Sequence, residues 1–370
     1  MSAGTGVPDT GAPDTGVPET GVPDTDLAGL PAGPAREWVR RNIPGADVSG
    51  PWRPEVIAGG LSNITYRLPL RSGNLILRRP PAGQLLPRAH DVGREYRVLS
   101  ALAATRVPVP VPLGFCADAG VIGAPFYVMP EVPGTVLRGR EDTGALSVEQ
   151  RSIVASALAE TLAALHAVDP LTAGLGDFGR IGGYCQRQLA TWGKQWERSR
   201  TRDLPDMARL LAALAERAPR EDSATSIVHG DYRIDNVIVG LRPRPRIAAV
   251  LDWELSTLGD PLADLGTTMA YWHDDGDAER YEIPVAAGIT AWPGFPPAAG
   301  FAELYAKASG RELRGLGFYL ALGTTKLAVI LEGVHARYLS GQASGTGYAA
   351  SGAAVPVLVA RGLRQLSAAR

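Results

Sequence analysis

Residues 227–254 constrain the fold more than any other part of the chain. Three short apolar runs, 227–228, 237–239 and 247–251, read as strands. Between the first two lies the polar octapeptide His229-Gly230-Asp231-Tyr232-Arg233-Ile234-Asp235-Asn236, and the third ends in Asp252-Trp253-Glu254. A polar loop held at strand ends can point several side chains into one cleft. The acid that closes the third run stands shortly after that loop.

The rest of the 370 residues supplies two unequal bodies around this segment. Residues 55–59, 64–68, 74–79, 113–116 and 125–130 read as strands separated by turn residues such as Gly59-Gly60 and Ser72-Gly73. A helix over 91–104 interrupts them, with Asp91 as its N-cap and Val92, Tyr96 and Leu99 on one face. From about residue 132 the chain is mostly helical. Ser147-Val148-Glu149-Gln150 is a capping box opening a helix to about Val168, and helices follow near 183–199 and 203–217. The remainder from Asp260 is helical around a Pro-rich loop at 284–297. The expected organisation is a leader over 1–35, a small nucleotide-binding lobe over 36–131 and a helical lobe over 132–370.

The leader repeats a five-residue unit of Gly, Pro and an acid, with almost nothing to bury, and should be disordered. Its five acids, ending at Asp26, face no base, so 37 basic residues meet 33 acidic ones in the remainder, a net charge of +4. That excludes nucleic-acid binding through bulk charge but suits an anionic small ligand. Two cysteines exclude a disulfide framework and a C-x-x-C site. The uncharged runs 283–302 and 338–360 are broken by Pro or by Gly and Ser, and there is no apolar leader, so a cytoplasmic protein without a membrane segment is expected.

An Asp five residues before an Asn is the spacing of the kinase catalytic loop. Asp231 is the candidate base for an attacking hydroxyl. Asn236 and Asp252 are candidate Mg²⁺ ligands against nucleotide phosphates. In the strand-rich lobe, Arg78 ends a strand and Glu95 lies in the next helix, the layout of a phosphate-positioning cation and its carboxylate. Arg79 matches Arg78 in charge, but two prolines follow it, and Arg78 is taken as the cation. The turn Gly59-Gly60-Leu61-Ser62-Asn63 can lay backbone N–H groups over phosphates, which makes Ser62 and Asn63 candidates for nucleotide contact. His166, His90 and His335 stand alone. His166 suits a helix C-terminus, and His273-Asp274-Asp275 reads as a solvated loop, with contact to substrate or metal as the alternative.

With these residues the chain resembles the aminoglycoside phosphotransferase (APH) family of small-molecule kinases over about residues 36–340, through HGDYRIDN and LDWELSTLGDPLADLG. GGLSNITYRL, LILRRPP, FYVMPEVPG, LAALHAVDP and LEGVHARYLSGQASG resemble the kinase domains linked to acyl-CoA dehydrogenases. The resemblance implies an α+β, bilobal, protein-kinase-like fold with ATP and Mg²⁺ between the lobes. It implies Asp231 as base, Asn236 and Asp252 as metal ligands and Glu95 orienting Arg78. His229 would brace the loop, and Asp260 and Asp264 would order the segment after the metal site. Met129 and Glu131 fall in the implied adenine hinge. The family usually has Lys where this chain has Arg78, and a planar fork is not a point charge.

Only seven residues separate Asp252 from Asp260 and no A-P-E follows, so a protein substrate is not expected. The resemblance points to a hydroxyacyl-CoA or a related anionic metabolite as acceptor, with Lys326, Arg337 or Arg138 on the CoA phosphates, and to a functional link with an acyl-CoA dehydrogenase. The alternatives are an antibiotic kinase, whose polycationic acceptor the +4 charge disfavours, and a catalytically inactive nucleotide-binding regulator.

Overall fold

A computed structural model describes residues 26–57, 63–81, 91–342 and 346–368. The repeat of residues 1–25 and the expected turn residue Ser62 lie outside the described residues, as does His90. The chain opens with helix α1 (Ala32–Asn42), then strands β1 (Glu55–Val56), β2 (Ile64–Leu68) and β3 (Leu75–Arg79). Helix α2 (Val92–Leu102) follows, then β4 (Gly114–Cys116) and β5 (Phe126–Pro130). These strands form an antiparallel sheet in the order β1-β2-β3-β5-β4. Asp91 caps α2 by accepting from the N–H groups of Gly93 and Arg94.

Part of the expected leader is folded. Asp26 accepts from the Ala32 N–H at 2.7 Å, and Leu30, Ala32, Ala35 and Val39 are buried. The proposed leader boundary at residue 35 therefore falls inside α1. The apolar residues after position 26 pack against Tyr66, Leu77 and Phe126 to make a separate core for the first lobe.

The larger lobe contains α3 (Arg140–Gly144), α4 (Val148–His166), α5 (Tyr184–Ser199), α6 (Pro205–Arg217), α7 (Pro261–Tyr271), α8 (Ala278–Tyr281), α9 (Ala298–Ser309), α10 (Leu316–Leu339) and α11 (Thr346–Ala368). Ser147 and Gln150 close the capping box at α4. Two antiparallel pairs, β6 (Ser226–Val228) with β9 (Thr257–Gly259) and β7 (Val237–Gly240) with β8 (Arg246–Val250), are set among these helices. β9 was not expected; it is three residues long and shows no alternation, and its pairing with β6 is what defines it. The fold is mixed α+β with a five-stranded sheet and a helical second lobe, the kinase-like architecture expected from the motifs.

Among the described helices α10 has the length and apolarity to cross a membrane, yet most of it is buried against α7, α11 and α5.

Candidate active site

Strand alternation decides which of two adjacent arginines enters the cleft. β3 runs through both, so they face opposite ways. Leu75, Leu77 and Arg79 face the first-lobe core, where Arg79 donates to the carbonyls of Pro80 at 3.0 Å, Ile122 at 3.1 Å and Gly29. Ile76 and Arg78 face the other side. Arg78 Nη2 lies 3.2 Å from Glu95 Oε1 on α2 and 3.3 Å from Asp252 Oδ1 beyond β8.

Glu95 is buried, and burial pushes its carboxyl above the ordinary range while Arg78 pulls it back. Asn63 Nδ2 lies 3.4 Å from Glu95 Oε2, so the Asn63 side chain buttresses the carboxylate and is not among the residues that line the cleft.

The loop between β6 and β7 is anchored from below by Asp264. Its carboxylate accepts from the N–H groups of His229 at 2.6 Å and Gly230 at 2.8 Å, and from His166 Nε2 at 3.3 Å. Burial raises the Asp264 carboxyl, but His166 and these amides outweigh it and hold the group below the carboxylate norm. His166 is not a surface residue acting on a helix end. It is buried, and its Nδ1 accepts from the Tyr305 hydroxyl at 2.7 Å.

His229 accepts the Asp231 N–H on Nδ1 at 3.2 Å and donates from Nε2 to the Leu251 carbonyl at 2.8 Å. One neutral imidazole thus joins the loop to the end of β8. Asp260 caps α7 and accepts from Ser223 and, at 2.8 Å, from the Tyr319 hydroxyl.

Asn236 donates through Nδ2 to the Asp231 carbonyl at 2.9 Å and to Asp231 Oδ2 at 3.1 Å, which turns its amide oxygen away from that carboxylate. The Leu251 N–H donates to the Asn236 carbonyl at 2.8 Å. Asp252 follows in the left-handed region at φ 63°, which Asp tolerates better than most residues. Arg78, Met129, Glu131, Asp235, Asn236 and Asp252 all line an interlobe cleft of about 350 Å³. Asp231 is not among the lining residues, but the Asn236 amide joins it to the wall. A larger hollow of about 710 Å³ between α4 and α9 contains none of the expected site residues.

Asn236, Asp252 and Asp235 present oxygen donors suited to a hard divalent cation. Asp235 Oδ1 is buried with no partner among the described residues, and burial raises its carboxyl.

Three expectations need revision. The Glu131 N–H already donates to the Asn74 carbonyl at 3.0 Å, and its side chain is held by Arg67 and Asn74 at 2.8 and 2.7 Å, so Glu131 is a wall residue without a spare amide. Lys326 is buried, donates to the Gly230 carbonyl and sits 3.8 Å from Asp231, so it is not a surface contact for CoA phosphates. Arg138 lines the cleft, whereas Arg337 is exposed in the last turn of α10. His273 is buried, not solvated, and accepts from the Gly288 N–H at 2.8 Å.

Arg233 was missed as a site residue. Its Nε lies 3.2 Å from Asp231 and its guanidinium stacks 4.4 Å over Tyr271. Its place two residues after Asp231 was the available signal.

Residues 54–301 match the phosphotransferase enzyme family, APH. Acyl-CoA dehydrogenase family member 11 of Gallus gallus is 40% identical over 295 residues, which are 78% of this chain and 37% of that protein. The chain thus spans little more than a third of the length of that relative. A solved Ralstonia eutropha protein described provisionally as an aminoglycoside phosphotransferase superposes with a TM-score of 0.78 at 35% identity, covering 91% of this chain and 98% of that one. Aminoglycoside phosphotransferase APH(4)-Ia, solved with AMP-PNP and hygromycin B, shares the fold at 14% identity and a TM-score of 0.58, covering 90% and 99%. The chain belongs to the APH phosphotransferase family of small-molecule kinases.

Proposed function

We propose that this chain transfers the γ-phosphoryl group of ATP to a hydroxyl of a small anionic metabolite, a hydroxyacyl-CoA in the first instance. One observation carries the reading. Segments distant in sequence bring Arg78, Asn236 and Asp252 to one cleft, and Asn236 is hydrogen-bonded to Asp231.

Asp231 accepts the proton of the acceptor hydroxyl as its oxygen attacks the γ-phosphorus. The new O–P bond forms as the bond to the β-phosphate oxygen breaks, and ADP leaves. Arg78, held by Glu95, binds phosphate oxygens. Met129 walls the adenine side, and Asn236 and Asp252 would hold Mg²⁺. The metal, when bound, neutralises charge across the β- and γ-phosphates. Catalysis then rests on positioning and charge neutralisation.

The dehydrogenase name of the chicken relative favours an acyl-CoA acceptor and a dehydrogenase working in the same pathway. AMP-PNP in the hygromycin kinase and GDP in an aminoglycoside 2'-phosphotransferase support a purine nucleotide as phosphoryl donor. The test is ³¹P NMR of the chain with Mg·ATP and, separately, 3- and 4-hydroxyacyl-CoAs or aminoglycosides. A phosphate ester on a hydroxyacyl-CoA is expected. Phosphorylation of the aminoglycosides alone would replace this reading with the antibiotic-kinase one. Nucleotide binding without any ester would favour a regulator.

A further inference from the structure

We infer that Lys326 is the acceptor-binding cation of this site: it recognises an anionic or strongly polar acyl oxygen beside the reacting hydroxyl and disfavours cationic acceptors. This rests on the phosphotransfer reading above. Lysine is rarely buried without a partner that needs its charge. Lys326 is 6% exposed in the middle of α10, after Thr324 and Thr325 and before Leu327, Ala328 and Val329. Its ammonium has three donors. One goes to the Gly230 carbonyl. Asp231 Oδ1, at 3.8 Å, lies beyond hydrogen-bond distance, and the Trp192 ring is 5.8 Å away.

The two oxygens of Asp231 are unequally occupied. Oδ2 accepts from Asn236 Nδ2 at 3.1 Å and has Arg233 Nε at ion-pair distance, 3.2 Å. Oδ1 faces Lys326. Asn236 lines the nucleotide cleft, whereas neither Asp231 nor Lys326 does. Oδ1 is the oxygen left for an acceptor hydroxyl, and Lys326 stands beside it.

Arg233 cannot serve in its place, because its guanidinium is divided between Asp231 and, at 3.4 Å, Asp235. An acceptor oxygen two or three bonds from the hydroxyl meets the uncommitted lysine donors. An ammonium at that place meets two cations around one carboxylate.

A purely structural lysine that only supports Gly230 would show no preference for acceptor charge. The experiment uses three probes of similar size: 3-hydroxybutyrate, 3-hydroxybutyramide and 4-aminobutan-2-ol. Their binding is measured by ligand-observed NMR on the full chain, with and without AMP-PNP. The wild type should bind the acid at least tenfold more tightly than the amine, with the amide between them. Lys326→Met should reduce that ratio at least fivefold with AMP-PNP affinity within twofold of wild type, and Lys326→Arg should keep its sign.

Equal binding of acid and amine by the wild type, or an acid preference that survives in Lys326→Met, overturns the inference. If Lys326→Met does not fold, loss of the preference in Lys326→Arg is contrary evidence and its retention is support. Failure of AMP-PNP to bind would strike the phosphotransfer reading instead, and the acid-to-amine ratio of the unloaded chain would still decide the lysine's role.

Discussion

Arg78 Nη2 lies 3.3 Å from Oδ1 of Asp252, a contact between residues 174 positions apart that ties the first-lobe sheet to the strand end of the second lobe. The same Nη2 lies 3.2 Å from Glu95 Oε1. Burial works against the charge of Arg78, but Glu95 and Asp252 keep it firmly protonated. A cation already aligned between two carboxylates needs little reorganisation to meet phosphate oxygens.

Arg78→Lys keeps the charge but loses the planar guanidinium whose Nη2 meets both Glu95 and Asp252. The Kd for ATP should rise about tenfold, equivalent to roughly 1.4 kcal/mol. Arg78→Met should weaken nucleotide binding further. Titration with a fluorescent ATP analogue measures both, and an unchanged affinity in Arg78→Met would remove Arg78 from the nucleotide site.

Glu95→Gln removes one partner of a buried pair and leaves the Arg78 charge under-compensated. Stability should fall by about 3 kcal/mol. Urea denaturation of wild type and variant measures this. Equal midpoints and slopes would mean that Asp252 alone suffices for Arg78.

Asp252→Ala should weaken Mg·ATP binding more than it weakens binding of metal-free ATP, because it deletes a candidate metal ligand from the cleft wall. Chelation of divalent cations should stop turnover in the wild type, and added Mg²⁺ should restore it. Calorimetry with and without Mg²⁺ separates the two affinities. An equal loss for both would assign Asp252 a role in holding Arg78 instead.

His273 gives a pH dependence of stability. Burial, assisted by Arg280, lowers its pKa from 6.5 to about 4. Between these values the unfolded chain takes up a proton that the folded chain refuses, so stability falls as pH drops through that window and is unaffected above it. By pH 5 the loss is about 2 kcal/mol. His273→Gln should flatten the difference between urea midpoints at pH 7.5 and pH 5. A variant with the wild-type pH slope would place the sensitivity elsewhere.

The chemistry of the loop was legible because its parts lie close in sequence: Asp231, Asn236 and Asp252 fall within 22 residues. The five-stranded sheet was legible from its apolar runs and turn residues. Long-range relationships were not. Lys326 reaches Gly230 across 96 positions, and nothing near it in sequence names that partner. His166 meets Asp264 across 98 positions, so its helix-end location concealed a buried role. The sequence separated Arg78 from Arg79 only by the two prolines that follow; the opposite faces they take along β3 supply the physical reason. Leu30 was grouped with the acidic repeat by composition, although it belongs to the first-lobe core.

The most direct test concerns Asp231. Phosphoryl transfer from ATP to a hydroxyacyl-CoA should be measured by ³¹P NMR for wild type and Asp231→Ala, beside AMP-PNP affinity for each. Loss of the base should lower kcat by about 10²- to 10⁴-fold with nucleotide affinity within twofold. Transfer by Asp231→Ala at the wild-type rate would contradict the account.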